Sequence, residues 1–134
     1  MVLVDTSVWI DVFRDPSQGR RRVLNRVVQD REIVLTRFVQ LELLQGCRDE
    51  GEWALLGEYL SAQDYIEMGP ETWTQAARIY FELRRQGLTV RSPIDCCIAQ
   101  LALGHAIPLL HRDRDFEVIG RVRPEFDHHW VEWA

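Results

Sequence analysis

Met1-Val2-Leu3-Val4-Asp5-Thr6-Ser7-Val8-Trp9-Ile10 opens the chain. Residues 2–5 read as a short buried strand, an apolar run without alternation that ends on Asp5. Asp5-Thr6-Ser7 then supplies N-cap chemistry for a helix over residues 8–13. A strand feeding straight into a helix is the first half of a βαβ unit. Asp5 therefore stands at the carboxyl end of a buried strand. A carboxylate buried there costs several kcal/mol unless it is paired or bound to a cation.

The same alternation continues outward from this stretch. Further short strands are expected at 33–35, 65–68 and 107–110, with an edge strand at 130–133. Helices are expected at 20–29, 38–45, 53–60 and 70–85. Val23, Leu24, Val27 and Val28 share a face of the first, and Gly46 and Gln86-Gly87 end the second and fourth. Ser92-Pro93-Ile94-Asp95 combines an N-cap, a proline at N1 and an acid at N3, so a helix starts there. That helix is apolar nearly all round, which marks it as central, and Gly104 is its expected end. A short helical turn is expected at 113–119. Alternating short strands and helices give an α/β fold, with residues 1–134 as a single domain.

Composition narrows the function. A chain of 134 residues with 46% hydrophobic content can bury a core. No apolar run approaches the ~20 residues needed to span a membrane. Asp5 falls too early for a secretory leader, so a cytoplasmic protein is expected. Cys47, Cys96 and Cys97 form no CxxC pair and are expected to be reduced, buried small hydrophobes. The net charge of −5 is not that of a strongly basic nucleic-acid binder. All 16 basic residues are arginine. The absence of lysine excludes P-loop, Schiff-base and response-regulator receiver chemistry, the last being the main competitor for an acidic pocket on a small α/β fold.

Five acids occupy positions that disfavour them. Asp5 and Asp113 follow strands, Glu42 lies among leucines inside a helix, Asp95 opens the apolar helix, and Asp115 follows Asp113 by two residues. Each of the four aspartates has a local alternative. Asp5 and Asp113 can cap the next helix, Asp95 can favour a helix dipole, and Asp115 can be solvated. Glu42 has no capping role. Taken together, the acids suit a shared hard divalent cation, Mg²⁺ or Mn²⁺, with oxygen ligands and retained waters. If the strands before Asp5 and Asp113 are neighbours, the site falls at a topological switch point.

The spacing and context resemble the PIN-domain family, most closely the VapC-type toxin ribonucleases. Val4-Asp5-Thr6-Ser7-Val8-Trp9-Ile10 looks like the first motif of that family. Glu42 in Val39-Gln40-Leu41-Glu42-Leu43 matches the second acid, and Asp95 in Ser92-Pro93-Ile94-Asp95-Cys96-Cys97 matches the third. Asp113 in Leu109-Leu110-His111-Arg112-Asp113-Arg114-Asp115-Phe116 matches the fourth, with Asp115 as an auxiliary acid. His111 departs from the threonine or serine common there. The resemblance covers essentially the whole chain. It implies a three-layer α/β/α sandwich with a central, mostly parallel sheet. It also implies a Mg²⁺-dependent endoribonuclease that cleaves RNA with a metal-activated water and inhibits translation. Asp5, Asp95 and Asp113 would be the metal ligands, Glu42 a ligand or water-orienting group, and Ser7 an auxiliary group. A VapB-type antitoxin and a homodimer are the implied partners. The alternatives are a related nuclease outside toxin–antitoxin systems, and a non-catalytic interaction module of the same fold.

Softer signals lie outside the acids. Arg20, Arg21, Arg22 and Arg26 form one basic run, and Arg84, Arg85 and Arg91 a second group. Arg112 and Arg114 flank the fourth motif. Arginines in such places hold nucleic-acid phosphates or form solvated faces. Trp9, Trp53 and Trp73 are expected in the core or at an interface. His128-His129 has no partner at metal-ligand spacing and is expected on the surface.

Overall fold

The computed structural model covers residues 1–134. Five parallel strands form one sheet in the order β3-β2-β1-β4-β5: β1 (Val2–Val4), β2 (Ile33–Thr36), β3 (Asp64–Ile66), β4 (Leu109–His111) and β5 (His128–Trp130). The helices between them are α1 (Thr6–Phe13), α2 (Gly19–Val28), α3 (Arg37–Gln45), α4 (Glu50–Ser61), α5 (Pro70–Arg85), α6 (Pro93–His105) and α7 (Arg114–Gly120). This is the three-layer α/β/α sandwich expected.

The period-two direction of strand side chains divides the core in two. Leu3, Val34 and Leu109 face α5, α6 and α7. Val2, Val4, Leu35 and Leu110 face α1, α2, α3 and α4. β1 is covered on both faces, which is why its sequence lacks polar alternation. α6 is wedged against the first of these faces, with Cys96, Cys97, Ile98, Ala99, Leu101 and Ala102 all buried. All three cysteines are free thiols, and burial pushes the Cys96 thiol up to about 12.

Several expected boundaries move. The fourth strand begins at Leu109 because Pro108 has no amide N–H for the ladder, and it extends to His111. The last strand is His128–Trp130 rather than 130–133, because Leu109 pairs with His128 and His111 with Trp130. Gly104 does not end α6; the helix runs to His105 and Ala106 takes the left-handed C-cap conformation at φ 53°. Trp9 is buried, whereas Trp53 and Trp73 stand half-exposed. His128 is no free surface residue: its ring stacks on Phe126 and bonds His111.

Candidate functional site

The strand order reverses between β1 and β4, which pair through Leu3–Leu109 and Val4–Leu110. The chain leaves β1 through Asp5 into α1 on one face, and leaves β4 through Asp113 into α7 on the other. Diverging connections open a crevice beyond the strand ends. The first and fourth acids stand just past the ends of these neighbouring strands, at the crevice.

Asp5 is buried and caps α1. Its Oδ2 accepts from the Ser7 amide at 3.0 Å and from Ser7 Oγ at 2.7 Å. Ser7 Oγ in turn accepts from the Arg112 amide at 2.9 Å, which ties the end of β1 to the end of β4. The Ser7 hydroxyl is thus spent on orienting Asp5. Burial pushes the Asp5 carboxyl up to about 6; the Ser7 bonds pull the other way and the charge of Glu42 adds to the rise. Glu42 projects from α3 and accepts from Thr6 Oγ1 at 3.0 Å through Oε1.

Asp95 sits in the first turn of α6, whose start is fixed by Ser92 accepting from the Ile94 amide. Its carboxyl is pushed up to about 8, first by burial, then by a proton shared with Asp115, and then by the charges of Asp113 and Asp5. Asp113 caps α7 with Oδ1, accepting from the Asp115 amide at 2.9 Å. Asp115 is nearly buried, and its Oδ2 accepts from the Arg91 amide at 3.0 Å and Arg91 Nε at 3.2 Å. The Arg91 guanidinium also donates to Asp113 Oδ2 at 2.5 Å.

Asp95, Asp113 and Asp115 offer carboxylate oxygens that all lie within 4.8 Å of one another. Asp115, expected as an auxiliary acid, is a full member of this trio, while Asp5 adjoins it through its charge on Asp95. The five acids form a row: Glu42, Asp5, Asp95, then Asp113 with Asp115. Hard oxygen donors at this spacing fit a divalent cation of the Mg²⁺ class. The raised Asp95 carboxyl and the Arg91 guanidinium across Asp113 and Asp115 both reflect the crowding of negative charge here.

The arginines divide by what they already hold. Arg112 pairs with Asp11, donates to the Val131 carbonyl and covers Trp130 and Trp133, so its guanidinium anchors the C-terminal segment. Arg20 lies over Trp133, and Arg21 over Trp9 and Tyr59. Arg22 reaches only the Ser17 carbonyl, and Arg114 is exposed beside the acids. His111 is fully buried; its Nδ1 accepts from the Asp113 amide and its Nε2 meets His128. Its role is to shape the loop that carries Asp113. Thr6 and Arg91 were not picked out with the acids from sequence. In sequence, Thr6 shows only as a hydroxyl beside Asp5, and Arg91 only as one of a basic group with Arg84 and Arg85.

The family model described as the PIN domain matches residues 2–122. VapC ribonuclease Mb1587 of Mycobacterium bovis is 33% identical over 125 residues, covering 91% of this chain and 93% of the relative. Ribonuclease VapC11 of Mycobacterium tuberculosis matches to the same extent: 33% over 125 residues, 91% and 93%. Among solved structures, VapBC2 from Rickettsia felis bound to a DNA fragment from its promoter superposes with a TM-score of 0.77 at 17% identity, covering 98% of this chain and 100% of that one. At that identity the superposition speaks for the fold.

Proposed function

Because the chain belongs to the PIN-domain family, we propose that it is a Mg²⁺-dependent endoribonuclease, the toxin of a VapBC-type toxin–antitoxin pair. It would act in the cytoplasm as one unit over residues 1–134 and inhibit translation by cutting RNA. The observation that carries this is the row of five acids at the β1–β4 switch point, in a chain 33% identical to a VapC ribonuclease.

Asp95, Asp113 and Asp115 would hold a Mg²⁺ or Mn²⁺ ion, with Asp5 completing the set. When bound, the cation would stabilise charge on the phosphodiester and acidify a water. The remaining work belongs to the chain. Ser7 and the α1 cap fix the Asp5 carboxylate. Thr6 holds Glu42 by Oε1, leaving Oε2 to orient the attacking water and accept its proton. Asp95 would release the proton it shares with Asp115 as the site fills. RNA phosphates are repelled by the acids until positive charge arrives, and Arg114 and Arg22 would then hold the backbone.

The partner would be a VapB-type antitoxin whose arginine occupies the acids. Next to them runs an apolar groove of Ile10, Phe13, Leu43, Leu55 and Tyr59, to which Glu42 also contributes. A segment seated in that groove would reach the acidic row directly. A homodimer is part of the same proposal. The test is cleavage of structured RNA by purified protein in Mg²⁺, in EDTA, and with the Asp95→Asn variant, with RNA ends mapped after brief induction. Equal cleavage under all three conditions would remove the metal and Asp95 from the mechanism.

A further inference from the structure

We propose that Arg91 is a tethered counter-cation, which occupies the acids of the metal-free protein and competes with a divalent ion for Asp113 and Asp115. The inference rests on the metal-nuclease function proposed above.

The backbone at Arg91 is fixed on both sides. Val90 is buried before it, and Ser92 caps α6 after it. The Arg91 amide is bonded to Asp115 Oδ2. The side chain is a different matter: it is 77% exposed and touches the protein through its guanidinium. It is an arm on a fixed shoulder, reaching into the acids from the rim.

Of the oxygens it takes, Asp113 Oδ2 is the one a cation needs; both Arg91 bonds to Asp115 fall on Oδ2. Asp113 Oδ1 is committed to the cap of α7, which leaves Oδ2 as the ligand oxygen, and Arg91 holds Oδ2 at 2.5 Å. Its Nε sits on Asp115 Oδ2 at 3.2 Å. One guanidinium therefore spans two carboxylates instead of forking onto one. A divalent ion entering the trio must take Asp113 Oδ2 from Arg91. Because the arm is solvated, its release is inexpensive, as for other exposed ion pairs. A purely positioning role predicts the reverse: an arginine that only aims the two acids would strengthen ion binding.

Mn²⁺ alone is the probe, with free Mn²⁺ counted by paramagnetic resonance against wild type, Arg91→Met, Arg91→Lys and Asp95→Asn. Methionine keeps the apolar stem and the amide bond to Asp115 while removing the charge. Arg91→Met is expected to bind Mn²⁺ roughly three- to tenfold more tightly than wild type. Arg91→Lys, a point charge that cannot span both acids, is expected to fall between. Equal or weaker binding by Arg91→Met overturns the inference and leaves the metal site standing. If Arg91→Met does not fold by thermal melting, Arg91→Lys decides by the same criterion. Absence of Mn²⁺ binding in every protein overturns the metal site as well, and binding by Asp95→Asn equal to wild type displaces it from the trio.

Discussion

The two ends of the acidic row are held by different means. At one end Asp5 and Glu42 are each gripped by a neighbouring hydroxyl, Ser7 and Thr6, in well-directed bonds. At the other end Asp95, Asp113 and Asp115 crowd within 4.8 Å, the Asp95 carboxyl is raised by burial and by its acidic neighbours, and an arginine arm spans Asp113 and Asp115. The first end is a fixed scaffold whose geometry is set by α1 and α3. The second is a charge trap whose occupancy depends on what cations and protons are available. Under the proposed function, a site built this way would keep one side rigid for aligning water and substrate and leave the other responsive to an ion.

The largest effect expected is at the charge trap. Asp95→Asn should abolish metal-dependent cleavage by about 10³-fold, since several kcal/mol of charge stabilisation at ~1.4 kcal/mol per tenfold would be lost. The same variant should melt higher than wild type without metal at pH 8.5, because asparagine carries no charge to repel. Cleavage assays and metal-free melts check the two halves, and a lower melt would contradict the trap.

The pH dependence follows from the same carboxyls. Asp5 and Asp95 are raised from 3.8 to about 6 and about 8 on folding. The folded protein therefore binds more protons than the unfolded chain between these values, and stability falls as pH rises. The metal-free wild type should lose stability from near pH 4 up to about pH 8 through these groups, and Mg²⁺ should restore most of it at the alkaline end. Denaturant titrations at pH 5 and pH 8 read this directly.

The scaffold end should respond less. Ser7→Ala leaves the Arg112 amide without its partner and Asp5 with only the residue-7 amide bond, which should cost about 1–3 kcal/mol. It also removes the hydroxyl bond that lowers the Asp5 carboxyl, so the pH at which Mn²⁺ binds should move upward; melts and pH-dependent titrations measure both. Thr6→Val keeps the shape and frees Glu42, and should reduce kcat roughly two- to tenfold with Mn²⁺ affinity unchanged, at about 0.5–1.5 kcal/mol for one hydrogen bond. A change in Mn²⁺ affinity instead would make Glu42 a ligand. The smallest effect belongs to Arg114→Ala, which should lower the salt dependence of RNA binding by about one phosphate contact without altering the cleavage position.

Much of this was open to inspection in the chain itself. The strand pattern of Val2–Val4, the caps at Asp5 and Ser92 and the apolar belt of α6 are local, because period and capping act over a few residues. They gave the α/β class, the central helix and the four principal acids. Other features depend on neighbours distant in sequence. That β1 lies beside β4 sets where Asp5 and Asp113 meet, and nothing near either residue encodes the pairing. Strand pairing also moved the last strand to His128–Trp130, and burial beneath Phe116 and Trp130 made His111 structural. Arg112 and Arg114 look alike in sequence, yet the fold turned one onto Asp11 and left the other in solvent. Arg91 gives the sharpest case, since it lies 22 and 24 residues from the carboxylates it holds. The sequence determined which residues carry charge and which segments are buried. Only the tertiary structure decided which charges face one another, because electrostatic partnership depends on distance in space, and that is set by the order in which the strands pair.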